Sequence, residues 1–394
     1  LLLLRHPRAP LALSYLSLYD SLIPLIAHKL YCLLLWFDRM ASDTARRLNL
    51  RGNAQFKRQE WERAIDAYSR ALAIEPTNTT YLLNRCNARL RFGELDLALQ
   101  DVEQAVSHNP DAYAYNLRGN VWLSLRQPDE AIASYSLAIS LDPNFSRAFS
   151  NRGRTYYEAN NIDSAIADYN QAIRLDPTNP GAYNDRGYAY LDLHQLEQAI
   201  QDFDKAIEFK PDYTLAYYNR ALAYLRLNQL DSAIQDFQRS IDGDRGNGRG
   251  SLGLGMARAR INASRPQAIE DLCRSVQFLS EDLERNPHEA WSWLFRAQAR
   301  RYLALLTPAG STTGLQLRDG GESHTRAELL AQATLDLEQV LVLNQLSTAL
   351  IERGLVRISA SDIVLGRQDL AAAFAMRPQR TPLLAGIDRH LPCQ

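Results

Sequence analysis

The run Ala182-Tyr183-Asn184-Asp185-Arg186-Gly187-Tyr188-Ala189-Tyr190 is followed by Ala199-Ile200-Gln201-Asp202-Phe203 and then Ala206, and this unit recurs about every 34 residues from Ala45 to at least Ile241. The second half of each copy opens on Ala64, Ala98, Ala131, Ala165, Ala199 or Ala233, at intervals of 34, 33, 34, 34 and 34 residues. Four residues later stand Tyr68, Val102, Tyr135, Tyr169, Phe203 and Phe237, and three beyond those stand Ala71, Ala105, Ala138, Ala172, Ala206 and Ser240. Steps of four and then three place these side chains on one face of a helix. Pro76, Pro110, Pro143, Pro177 and Pro211 close five of the units, each ending a helix and directing the chain into the next copy. A period of this length marks a repeat architecture, in which a unit buries its apolar face only by stacking on its neighbours.

The first half of each copy carries a small residue at a crowded place: Gly52, Cys86, Gly119, Gly153, Gly187 and Ala221. Glycine within a helix costs about 1 kcal/mol relative to alanine, so its recurrence implies close approach of a neighbouring helix. An aromatic three residues on, as in Trp122, Tyr156, Tyr190 and Tyr224, completes the pattern. Over residues 45 to 247 the combination resembles the tetratricopeptide repeat family. The resemblance implies an all-α, right-handed superhelix of antiparallel helix pairs, whose first helices line a concave groove that takes peptides or proteins.

Beyond Gly243 the pattern weakens without vanishing. Gly255 with Ala268, Leu272 and Ser275 forms one further copy, and a long first helix over roughly Glu289 to Leu306 carries Trp291, Trp293, Phe295 and Tyr302. Its partner, marked by Ala333, Leu337 and Val340, is delayed by a mobile insertion at 308–324. A last pair involves Gly354, Gly366, Leu370, Ala373 and Pro378. The expected organisation is a hydrophobic N-terminal segment (1–39), six clear repeats (40–247) and about three degenerate ones (248–394). The first segment is interrupted by Asp20, Pro24, His28 and Lys29, which suits neither a spanning helix nor a signal peptide. A natural start at Met40 is the preferred reading, with a membrane-associating segment or a hydrophobic cap on the array as alternatives.

Two polar columns run through the repeats. Arginine precedes the small place in eight copies, at Arg51, Arg85, Arg118, Arg152, Arg186, Arg220, Arg296 and Arg353. Aspartate precedes the second-helix aromatic or its equivalent at Asp101, Asp168, Asp202, Asp236, Asp271, Asp336 and Asp369, and six copies hold both. A partly buried guanidinium needs a carboxylate, so an internal Arg–Asp ladder is expected; arginines reading acidic ligands along the groove are the alternative. The other column is asparagine. By analogy with the family, the groove-facing places hold Asn49, Asn53, Asn84, Asn87, Asn116, Asn120, Asn151, Asn184 and Asn219, with Tyr157, Tyr188 and Tyr218 nearby. Each amide offers a donor and an acceptor to the backbone of an extended peptide, whereas the simpler readings are solvation of a helix face and, for the tyrosines, packing of the array. Leu50 and Leu117 stand where relatives that clamp a terminal carboxylate need polar groups, so binding of chaperone tails is not supported.

Composition excludes several classes. Lysine and arginine number 44 against 45 aspartates and glutamates, which removes the footprint of a dedicated nucleic-acid binder while leaving room for a local basic patch. Cys32, Cys86, Cys273 and Cys393 share no metal or disulfide spacing. Gly248-Arg249-Gly250-Ser251-Leu252-Gly253 matches a nucleotide-binding fingerprint in letters, but it follows a helix at a repeat boundary. None of the seven histidines stands in a metal spacing, and no nucleophile elbow is present. The sequence therefore points to a non-catalytic, cytoplasmic protein-interaction scaffold without cofactor or metal, its partner an extended peptide or protein. An assembly factor, possibly membrane-linked through the N-terminal segment, is the alternative, and exposed Trp291 and Trp293 would favour it.

Overall fold

A computed structural model describes residues 39–244, 246–261, 264–307, 315–316, 323–343, 346–360 and 362–375. The readings made on 1–38, on Pro378 and on most of 308–324 lie outside them. The helices are α1 (39–57), α2 (Trp61–Ile74), α3 (Thr79–Phe92), α4 (Leu95–His108), α5 (Ala112–Ser124), α6 (Pro128–Leu141), α7 (Ser146–Glu158), α8 (Ile162–Leu175) and α9 (Pro180–Asp192). They continue as α10 (Leu196–Phe209), α11 (Thr214–Arg226), α12 (Leu230–Gly243), α13 (Gly248–Ala259), α14 (Arg265–Arg285), α15 (Ala290–Leu306), α16 (Arg326–Val342), α17 (Leu346–Ser359) and α18 (Ile363–Ala375). Between α15 and α16, β1 (Leu315–Gln316) pairs antiparallel with β2 (Ser323–His324). The fold is an all-α solenoid of helix pairs. Its chain divides into two compact units, Leu1–Asn151 and Arg152–Gln394. None of the described helices is long and apolar enough to cross a membrane.

The recurrent small residue and the recurrent aromatic meet within each pair. A Cβ built on Gly119 would lie 2.4 Å from the Tyr135 ring, one on Gly52 2.5 Å from Tyr68, and one on Gly187 2.9 Å from Phe203. Cys86 takes the same place opposite Val102, fully buried, and burial pushes its thiol pKa up. The glycine-rich start of α13 has the same explanation: a Cβ on Gly253 would lie 2.3 Å from Phe237 of α12, and one on Gly248 2.7 Å from Leu279 of α14. These glycines admit neighbouring side chains, which accounts for the fingerprint without a nucleotide.

Boundaries are set by local chemistry. Asn78, Asp111, Asn179 and Asn247 accept backbone N–H bonds at the starts of α3, α5, α9 and α13, and Thr325 with Glu328 forms a reciprocal capping box on α16. The turn from first to second helix uses one left-handed residue in each of the first six copies: Gln59, Gly93, Arg126, Asn160, His194 and Asn228. In the C-terminal copies, Trp291 stacks on Phe295 with centroids 6.1 Å apart, Trp293 donates to the Pro287 carbonyl at 2.8 Å, and both tryptophans pack against the core. Both are half-buried, which meets neither the exposed pair that would favour the assembly reading nor a fully buried one.

Candidate functional site

The Arg–Asp ladder is present on the hidden side of the first helices. Arg85 with Asp101, Arg152 with Asp168, Arg186 with Asp202, Arg220 with Asp236, Arg296 with Asp336 and Arg353 with Asp369 each form a two-pronged pair through Nε and a terminal nitrogen. The fork matches a carboxylate, and the aspartates are buried, so each carboxylate needs this partner. The remaining terminal nitrogen of several arginines reaches back to the preceding repeat: Arg85 to Ser69, Arg186 to Asn170, Arg220 to Asp204 and Arg296 to Ser280. One guanidinium thus ties its own second helix to the one before it. Where the second-helix place holds Ser134, Arg118 donates to its hydroxyl at 3.1 Å and lies 4.7 Å over the Tyr115 ring.

The asparagines pair among the first helices themselves. Asn84 of α3 donates to Asn49 of α1 at 2.9 Å, Asn151 of α7 to Asn116 of α5 at 2.9 Å, and Asn219 of α11 to Asn184 of α9 at 3.0 Å. These clasps join the first helices of successive repeats at every other junction: the first with the second, the third with the fourth and the fifth with the sixth. Asn49, Asn116, Asn184 and Asn219 are buried, while Asn84 and Asn151 are half-buried. Asn53 and Asn120 accept from the hydroxyls of Tyr68 and Tyr135, both at 2.8 Å, and burial pushes the Tyr68 pKa up to about 12. Asn87 donates to the Tyr113 hydroxyl at 3.0 Å.

Within the C-terminal unit the first helices carry packed tyrosines. Tyr157 and Tyr188 meet edge to face with centroids 5.6 Å apart, and Tyr157 donates to Asp192. Tyr218 packs edge to face on Phe237 at 5.7 Å, and burial pushes its pKa up. Arg226 and Arg260 donate to the carbonyls of Leu191 and Leu225, at 2.7 and 3.0 Å, so each ties the end of its own first helix to that of the preceding repeat. Asp185 accepts from Asn184 at 3.2 Å, and burial raises its carboxyl pKa. Farther along, Gln298 and Arg301 of α15 approach Glu352 of α17, at 2.7 and 3.5 Å, all three buried.

Sequence reasoning had no partner for Asp271, whose copy carries Leu254 at the arginine place. Arg258, one helical turn on, takes over at 2.6 Å. Arg89, Arg300 and Arg357 occupy that same turn and add a second guanidinium to Asp101, Asp336 and Asp369. Among the described residues, no group of three or more His, Cys, Asp or Glu side chains is placed to hold a metal ion.

Family models described as tetratricopeptide repeats match residues 45–78, 112–145, 153–193, 189–228 and 215–246. The small glutamine-rich tetratricopeptide repeat-containing protein 2 of Saccharomyces cerevisiae is 29% identical over 106 residues, 27% of this chain and 31% of that protein. A serine/threonine-protein phosphatase T of Trypanosoma brucei brucei is 34% identical over 107 residues, 27% of this chain and 22% of that protein. The chain thus spans less than a third of either relative. Among solved structures, a chain of the APC/C hetero-tetramer Cut9–Hcn1 superposes with a TM-score of 0.52 at 15% identity, over 83% of this chain and 55% of that one. That likeness concerns the fold.

Proposed function

We propose, from the premise that the chain belongs to the tetratricopeptide repeat family, that it is a non-catalytic scaffold whose first-helix faces hold an extended segment of a partner protein. The carrying observation is the asparagine seam of the N-terminal unit: Asn84 and Asn87 each spend one amide hydrogen on a neighbouring first helix and remain half-buried. Each retains a carbonyl acceptor and a second amide hydrogen, the complement of a peptide backbone that runs across the helices. The ladder fixes the helices beneath, so little ordering is left for binding to supply. Asn49, Asn53, Asn116, Asn120, Asn184 and Asn219 serve this reading by positioning helices, and Tyr157, Tyr188 and Tyr218 supply an apolar wall in the C-terminal unit. The setting is cytoplasmic, which suits the buried thiol of Cys86.

Photo-crosslinking tests the reading. A photoreactive side chain replaces exposed first-helix residues (Leu50, Tyr113 or Leu215) or, as controls, exposed second-helix residues (Arg70 or Leu137). Partner adducts from the first-helix positions alone support it; adducts from the controls alone, or from none, refute it.

A further inference from the structure

We infer that the outward side of α1, at the N-terminal end of the array, is an adsorption surface for an anionic lipid membrane. The helix carries Arg39, Arg46, Arg47, Arg51 and Lys57 against one acid, Asp43. At about 3.6 residues per turn these five cations fall within an arc of about 140°. Ala45, Asn49 and Gly52 occupy the opposite arc and are buried, so the packing of α1 turns the cations outward, and all five are exposed. Arg47 donates to the Asp43 carbonyl at 3.3 Å, and none of the five forms an ion pair among the described residues. Place in the array explains why this side is free. Leu117 of α5 and Leu50 of α1 both stand two residues before the small place; Leu117 is 2% exposed in a core shared with α3 and α4, whereas Leu50 is 56% exposed. Among the described residues no helix precedes α1 to cover it. Arg51 stands at the ladder place, but Ala67 replaces the aspartate, so its copy supplies no forked carboxylate.

The concentration is local, since the whole chain carries a formal charge of −1. Helix stability does not account for it: Arg39 opens α1, where the helix field disfavours a cation. The neighbours of the cations select a lipid surface over other polyanions. Met40 and Leu50, 44% and 56% exposed, lie among them, and a headgroup layer accommodates such apolar side chains. The exposed arc holds no aromatic ring, the stacking platform that single-stranded nucleic acids use. In the sequence, residues 22–37 stand just ahead of α1 with no acid, one cation in Lys29, and a closing pair, Trp36-Phe37, of the kind that favours the boundary between headgroups and acyl chains. One apolar signal gives reversible attachment, and a polybasic surface beside it makes attachment durable. Because α1 adsorbs through the side that the array leaves free, its buried side stays in the core and no helix has to unfold.

The test is co-flotation of the full chain with vesicles of phosphatidylcholine alone or of phosphatidylcholine and phosphatidylserine in equal parts, near 0.15 M salt. The anionic vesicles should bind at least about tenfold more tightly, and the difference should shrink as salt rises. Arg39→Gln, Arg46→Gln, Arg47→Gln and Arg51→Gln combined should remove at least about tenfold of that affinity, with circular dichroism and unfolding midpoint unchanged, since glutamine keeps the helix propensity. Lysine at the same four places should retain it, because a headgroup layer reads charge and not a fork. Arg63→Gln with Arg70→Gln, exposed cations on α2, should leave it intact. Equal binding to the two vesicles, which would assign attachment to apolar residues alone, overturns the inference. So does an absence of binding, indifference to the fourfold glutamine variant, or release of the chain from anionic vesicles by an oligonucleotide or a polyglutamate peptide at a lower concentration than the anionic lipid. None of these outcomes bears on the crosslinking result, so the scaffold reading stands or falls separately.

Discussion

The N-terminal and C-terminal units share their hidden side and differ on their inner one. Both bury aspartates against forked arginines, as Asp101 does in the first and Asp202 in the second. Along the first helices, the first unit carries half-buried amides such as Asn84, while the second carries packed tyrosines and Asp192, which Tyr157 already engages. The hidden side meets the same stacking geometry from copy to copy, and six copies keep the same fork while Ser134 and Leu254 depart from it. The exposed sides of the first helices answer to no such requirement, and there the two units differ, although both keep an asparagine clasp.

The largest expected effect tests the shared half of this comparison. Asp202→Ala leaves the Arg186 fork without its carboxylate and should cost about 3 kcal/mol, whereas Asp101→Ala strands both Arg85 and Arg89 and should cost about 4 kcal/mol. Urea unfolding followed by circular dichroism reads both. Arg186→Leu with Asp202→Leu removes both charges and should recover most of the loss, because the isolated charge carries the penalty. If the double change cost as much as Asp202→Ala, the ladder would be contributing through packing and not through its pairing.

The clasps sharpen the contrast. Asn219→Ala leaves the Oδ1 of buried Asn184 without that donor and should destabilise by about 2 kcal/mol, while Asn84→Ala, at a half-buried site that water reaches, should cost about 0.5 kcal/mol. Equal costs in the two units would mean that the seam is as dry in the first as in the second, and would remove the amide capacity on which the proposed function rests.

These contacts also show what was legible in the sequence. Arg186 and Asp202 stand 16 residues apart in one repeat, and five copies with that spacing made their pairing readable. Gly119 and Tyr135 were legible for the same reason: close approach leaves a mark on both residues of one unit. The clasps were not, because Asn84 and Asn49 occupy different places in successive repeats, 35 residues apart, and their pairing depends on the lateral offset of one helix pair on the next. Arg258 escaped because it replaces a missing partner from a different turn, a substitution that only the packed pair reveals.

The smallest effects lie in the turns, where the two units should behave alike. Gly93 has φ 96° and open space around its missing Cβ, so Gly93→Ala meets no steric contact and should lose about 1 kcal/mol from the left-handed backbone alone. Gln59 in the first unit and His194 in the second hold the equivalent place at φ 62° and 58° with a full side chain. Gln59→Gly and His194→Gly relieve that conformation but enlarge the freedom of the unfolded chain, which leaves a gain of about 0.5 kcal/mol each. Asn160→Gly and Asn228→Gly should gain less, since asparagine tolerates this region. Unfolding midpoints rank the series. A gain confined to one unit would mean that the turn itself, and not the inner face alone, distinguishes the two halves of the array.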